Sequence, residues 1–200
     1  MAGGAPASEF ASSSATRSQV IELATYLAAR PTFEPGEMLT STRCVPLYRS
    51  ASRSHVLVRL SNSTLKVRSV IRGKHLLLDI EESKEVKEFL QCLDALAKDI
   101  MLERCQDWFR KELNVEEVEA TYSPCHCADA LGRRFVALQL SHNCALWSSP
   151  GRRAQVDDLE AGVEVVPVVS IVGLYFERKS FGLCLSVHEA VLRRPKTVET

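Results

Sequence analysis

The residues with the most chemical promise lie in Gly173-Leu-Tyr-Phe-Glu-Arg-Lys-Ser-Phe-Gly182, where Tyr175, Phe176 and Phe181 stand beside Arg178 and Lys179. Rings that stack on bases and cations that meet phosphates are how proteins hold single-stranded nucleic acid, at about 1–3 kcal/mol per stacked base. The plainer reading puts the rings in a core and the charges on a solvated turn. On spacing alone, that plainer reading is the better one.

A second candidate is a run of cations. From Arg43 to Leu78 there are eight basic residues (Arg43, Arg49, Arg53, Arg59, Lys66, Arg68, Arg72 and Lys74) and no acidic one. From Asp79 to Ala120 the balance reverses, with thirteen acids against six bases. The net charge of zero therefore hides two opposed regions, and a polyanion meets the local field rather than the sum. Arg59, Lys66, Arg68, Arg72 and Lys74 on neighbouring strands would line an electrostatic groove. The alternative is an ordinary solvated sheet face, which usually mixes signs. Arg133, Arg134, Arg152 and Arg153 fall at expected loop ends, and Trp147 stands before a Ser-Ser-Pro-Gly turn, where it either stacks on a base or fills the core.

Other chemistry finds little support. Cys125, His126, Cys127, His142 and Cys144 could in principle surround a zinc ion, but C-x-C and H-x-C spacings are not the C-x-x-C knuckle of zinc ribbons, so no metal or cofactor is expected. Cys44, Cys92, Cys105 and Cys184 sit in apolar patterns and read as core. No P-loop, G-x-S-x-G or H-E-x-x-H motif is present, and His188 and Glu189, adjacent on a strand, point to opposite faces. A non-enzymatic protein is the expectation.

The elements that must position these groups follow from pattern. Residues 1–18 (MAGGAPASEFASSSATRS) read as a disordered leader without the basic and apolar regions of a secretion signal. Gln19–Arg30 reads as a helix ended by Pro31, or as a strand given its β-branched start. Short half-buried strands are expected at Cys44–Arg49, His55–Leu60, Leu65–Ile71 and Lys74–Ile80, with turns at Asn62-Ser63 and Gly73. Ser83–Leu113 carries apolar residues at a 3.6 period from Val86 to Phe109, with Ser83 as cap; Asn114-Val-Glu-Glu117 announces a second helix, stopped by Pro124. Strands resume at Arg134–Leu140, Cys144–Trp147, Val163–Phe176 broken at Pro167, and Phe181–Leu192. The last two form a hairpin around a charged turn.

The run VVPVVSIVGLYFERKSFGLCLSVHEAVL and the Trp108-Phe109 pair ending the long helix resemble the single-stranded DNA-binding proteins of large nucleocytoplasmic DNA viruses and related mobile elements. The resemblance spans roughly Cys44 to Leu192. It implies an OB-fold similar to that of short-tailed phage single-strand binders, protection of displaced strands during replication, and no catalytic residues. Two departures stand out. The tail RRPKTVET lacks an acidic, aromatic-ended segment, and Leu185 stands where the family often has an aromatic.

The expected fold is thus mainly β (α+β): an OB-fold-like antiparallel barrel over residues 19–192, with a helical insertion at 83–121 and a short tail at 193–200. At 46% hydrophobic residues the chain can bury a core, and no apolar run reaches the roughly 18–20 residues of a membrane span. Seven cysteines read as reduced thiols, which places the protein inside the cell, and the resemblance implies the nucleus or a viral replication site. The expected function is sequence-nonspecific binding of single-stranded DNA during replication, recombination or repair. The expected partners are single-stranded DNA, replication proteins meeting the helix's acidic face, and a second copy in a homodimer. The alternatives are a protein-interaction module working through the helix, which an exposed apolar stripe would favour, and an RNA-binding protein.

Overall fold

Local sequence sets twelve strands and three helices in the computed structural model, which describes residues 20–38, 43–50, 52–61, 65–72, 74–148 and 151–193. In chain order these are β1 (Val20–Glu22), α1 (Leu23–Ala29), β2 (Phe33–Pro35), β3 (Cys44–Arg49), β4 (Val56–Arg59), β5 (Leu65–Ile71), β6 (His75–Asp79), α2 (Lys84–Phe109) and α3 (Val115–Thr121). There follow β7 (Tyr122–Ser123), β8 (His126–Ala128), β9 (Arg134–Ser148), β10 (Arg152–Arg153), β11 (Glu164–Phe176) and β12 (Phe181–Arg193). Both readings of the first segment are realised: the β-branched start is β1, and the rest is α1, closed by Arg30 in a left-handed conformation (φ 42°) before Pro31. The leader, most of the tail, and the turn residues Asn62, Ser63 and Gly73 lie outside the described residues.

Five strands close into a ring. β11 pairs with β5, β5 with β6, β6 with β9, β9 with β12, and β12 with β11 again. All these pairings are antiparallel except β9–β12, which is parallel. The chain is therefore an OB-fold-like barrel, and closure removes the open edges a flat sheet would leave. The long β11 serves as a spine. On the side away from β12 it meets β5, β4 and β3 in turn. β1 and β2 extend the sheet from β4 and β3.

Two expected breaks are absent. β11 runs through Pro167, whose carbonyl still accepts from the Leu60 N–H at 3.0 Å. The register with β12 shifts at once, between Val168 and Val169, and a bulge is where a strand tolerates proline. β9 is one strand rather than two. Leu140 opposes Val187 and Ala145 opposes Glu189, so five steps on β9 face two on β12. The polar Ser141-His142-Asn143 stretch, which interrupts the alternation in sequence, is absorbed as a bulge.

The inserted helices behave as their caps dictate. Ser83 accepts from the Val86 N–H at 3.2 Å. Asn114 and Glu117 form a reciprocal capping box at the start of α3. Val86, Phe89, Leu90, Leu93, Ala97, Ile100, Met101 and Cys105 of α2 are buried in the same core as the barrel strands. Tyr26 of α1 meets Phe89 edge-on at 5.0 Å. The apolar stripe of α2 is thus satisfied internally almost to its end, where Phe109 remains 43% exposed. Among the described residues no helix is long and apolar enough to cross a membrane.

Candidate nucleic-acid interface

Alternation along β9 separates an inner from an outer face. Val136, Leu138 and Leu146 are buried, so Phe135, Ala137, Gln139 and Trp147 point outward. On β6 the same logic buries Leu76 and Leu78 and turns His75, Leu77 and Asp79 out. Register places these directly opposite their β9 counterparts: Asp79 by Phe135, Leu77 by Ala137, His75 by Gln139. Past the bulge, Trp147 lies between Arg153 of β10 and Val191 of β12. Residues directly opposite share a face, so Arg153 stands beside the indole. Trp147 and Phe135 are each half-buried, while Ala137 and Gln139 are exposed. The result is an outward-facing strip about 30 Å long, at about 3.3 Å per residue once the bulge is discounted. Phe135 marks one end and Trp147 the other.

Cations rim this strip selectively. The β5–β6 turn carries Arg72 and Lys74, and the Leu140 N–H donates to the Lys74 carbonyl at 2.7 Å, which fixes the turn against the middle of β9. Arg152 and Arg153 flank the Trp147 end. All four are exposed, and none has an ion-pair partner among the described residues. These four and Trp147 are the predicted residues that the fold brings together.

Other predicted cations are committed elsewhere. Arg59 pairs with Glu22 at 3.4 Å and Lys66 with Glu82 at 3.8 Å. Arg68 binds Asp129, reaches Asp79 at 3.6 Å, and lays its guanidinium 4.8 Å over the Phe135 ring. Arg133 pairs with the same Asp129 at 3.1 Å. Three cations of the run without acids, Arg59, Lys66 and Arg68, are thus paired with acids from β1, the α2 approach, β6 and the β8–β9 loop. Burial works against ionisation of Asp129, but the Arg133 N–H, the Arg68 guanidinium, the Leu131 N–H and the Arg133 guanidinium outweigh it and hold the carboxyl at about 2. Arg134 is exposed at the start of β9, its N–H donating to Glu81 at 3.1 Å.

The hairpin residues part company. Phe181 is 2% exposed, packed against Tyr122 and Phe176, and so cannot meet a base; this corrects the expectation placed on it. It opens β12 on the core side, where Tyr122 of β7 is its partner in register. Tyr175 is half-buried over Gly182. Phe176 turns beneath the end of α2, meeting Trp108 at 5.8 Å and Phe109 at 5.2 Å. Arg178 and Lys179 are exposed on the turn, which the Glu177 N–H closes onto the Ser180 carbonyl at 2.8 Å.

Sequence reasoning missed Phe135, His75 and Gln139. The signal was there: in RFVALQL the phenylalanine falls on the polar side of the alternation. The cysteine-rich segment is held by Asp94 of α2, which accepts from the Tyr122 hydroxyl at 2.7 Å and the Cys125 N–H at 2.9 Å. Burial, then the Asp94 charge, pushes the Cys125 thiol up, which makes it inert. Among the described residues no group of three or more His, Cys, Asp or Glu could hold a metal ion.

The chain belongs to a family of unknown function (DUF5871), whose model matches residues 63–200. No curated protein matches the sequence. Among solved structures, the chain is similar to the single-stranded DNA-binding protein from bacteriophage Enc34, at 9% identity and a TM-score of 0.48, covering 82% of this chain and 90% of that one. It is also similar to the same phage protein in complex with single-stranded DNA, at 10% identity and a TM-score of 0.44, covering 84% and 99%.

Proposed function

We propose that this protein binds single-stranded DNA without catalysis, laying the strand along the outer face of β9. The observation that carries the reading is the strip itself. Two half-buried rings, Phe135 and Trp147, lie on the outer face of a closed OB-like barrel, Phe135 beneath the Arg68 guanidinium, and four cations without an ion-pair partner among the described residues rim it. The strand 2–3 face and adjoining loops are where OB-folds take oligonucleotides, and in this ring those strands are β6 and β9. Half-buried rings on the outer face of a strand suit unstacked bases, whereas duplex bases are already stacked on one another. Protection of displaced strands in replication, recombination or repair, inside the cell, belongs to the same proposal, as does kinship with the viral single-strand binders that the hairpin resembles. The interaction-module reading loses its main support because the α2 stripe is buried.

The test is fluorescence anisotropy of labelled oligo-dT at two salt concentrations, with duplex and RNA competitors. Salt-sensitive, strand-preferring binding is expected, and Trp147→Ala should weaken it about 5- to 150-fold, the worth of one stacked base. Absence of binding at low salt, or preference for duplex, would overturn the reading; preference for RNA would change the ligand but not the site.

A further inference from the structure

The end of α2 holds a second cluster that the β9 strip does not use. Phe109 is exposed, although every other ring near it is packed: Trp108 meets Phe109 edge-on at 6.5 Å, and Phe176 meets both. This trio is an aromatic platform with one open surface. Cations gather within a few residues of it. Arg110 follows Phe109 as the left-handed cap of the helix, and the Arg43 carbonyl accepts from the Phe176 N–H at 2.8 Å. Arg178 and Lys179 stand two and three residues beyond Phe176.

Local acids do not cancel these charges. Asp107 is tied to Arg104 at 3.5 Å, and Glu117 is tied to Lys111 at 2.8 Å. Glu112, Glu116 and Glu177 are the remaining carboxylates in the same stretches, three against the four cations Arg43, Arg110, Arg178 and Lys179. The patch is net positive around an open ring, although α2 as a whole is acidic on its exposed side.

Its position follows from register. β9 and β12 run parallel with Gln139 opposite Ser186, so the Phe135 end of β9 and the Phe181 end of β12 lie at the same end of the barrel. The hairpin turn, and the α2 terminus packed on it through Phe176, are therefore at the same end of the barrel as Phe135. We infer that a single strand lying on β9 continues past Phe135 onto this patch, stacking a base on Phe109 while Arg43, Arg110, Arg178 and Lys179 meet its phosphates. The inference rests on the reading of the β9 strip. It adds a second contact region that only longer strands reach.

Oligo-dT of about 8 and about 30 nucleotides, bracketing the span of one OB-fold site, separates the two claims. Phe109→Ala should weaken binding of the longer strand about 5- to 150-fold and leave the shorter unchanged, while Phe109→Trp should retain both. Exchanging Arg178 and Lys179 together for glutamine should reduce the salt slope for the longer strand by about 1.4. If the wild type binds the short strand and Phe109→Ala binds the long one as tightly as wild type, the patch is not a contact and only this inference falls. Loss of self-association in Phe109→Ala, with strand binding intact, would also overturn it by assigning the ring to a protein contact. If the wild type binds neither length, the reading of the strip falls first.

Discussion

Whether an arginine can serve a phosphate depends on what already holds it. Arg68 stacks on Phe135 and is shared between Asp79 and Asp129, so its charge is spent within the fold. Arg72 is the opposite case. It holds a left-handed backbone (φ 50°) at a turn where glycine or asparagine would be easier, and this conformation costs an ordinary side chain about 1–2 kcal/mol. That cost leaves a cation at the tip of the β5–β6 turn, beside the strip. The Asp129 network makes its own prediction. The carboxyl's pKa is lowered from 3.8 to about 2 in the folded protein, so its contribution to stability is present above the unfolded value and lost as pH falls through about 2. The thermal midpoint of Asp129→Asn should therefore lie below that of wild type at pH 5, with the gap narrowing between about pH 4 and 2. A gap that stays constant over this range would show that the charge of Asp129 contributes nothing.

At the scale of elements, the long β11 holds the barrel together, and Gly173 is where it is most tightly constrained. A Cβ there would lie 2.8 Å from Pro46 Cα and closer still to the Val45 carbonyl, so β3 can pair with β11 only against a glycine. Gly173→Ala should cost about 1–3 kcal/mol, with β3 and its partner β2 released first. Urea unfolding measures the cost, and hydrogen exchange would show whether protection is lost at Val45–Leu47 before the ring opens. Such local elements were largely legible in the sequence. Cys44–Arg49 and Leu65–Ile71 match residue for residue, and both helix caps act through the expected side chains. The site was legible in part. Trp147, Arg152, Arg153, Arg72 and Lys74 carry signals of composition that survive folding. The fates of Arg59, Lys66 and Arg68 depend on acids 11 to 61 residues away, and no local pattern reports those partners. Phe181 was misjudged because a ring opening a strand can face either way until register is fixed.

At the scale of the whole molecule, a neutral protein binds a polyanion only through the way its charge is partitioned. A basic run in sequence becomes a basic surface only where the fold keeps acids away. Here the fold brings Glu22, Glu82, Asp79 and Asp129 to Arg59, Lys66 and Arg68 and, among the described residues, leaves Arg72, Lys74, Arg152 and Arg153 without an ion pair along β9. The two pictures differ in a measurable number. Each phosphate neutralised on a single strand contributes about 0.7 to the slope of log affinity against log salt. For a short oligonucleotide confined to the strip, four free cations give a slope of about −3. Had the nine basic residues expected from sequence on the strands and loop ends all met phosphates, the slope would be about −6. A measured value near −3, unchanged by Lys66→Gln and shallower by about 1.4 when Arg72 and Lys74 are both exchanged for glutamine, would fit the ion-paired architecture. A value near −6 would mean that the strand breaks those ion pairs and recruits the arginines from their carboxylates. The acids around the barrel would then act as a competitor that the strand displaces.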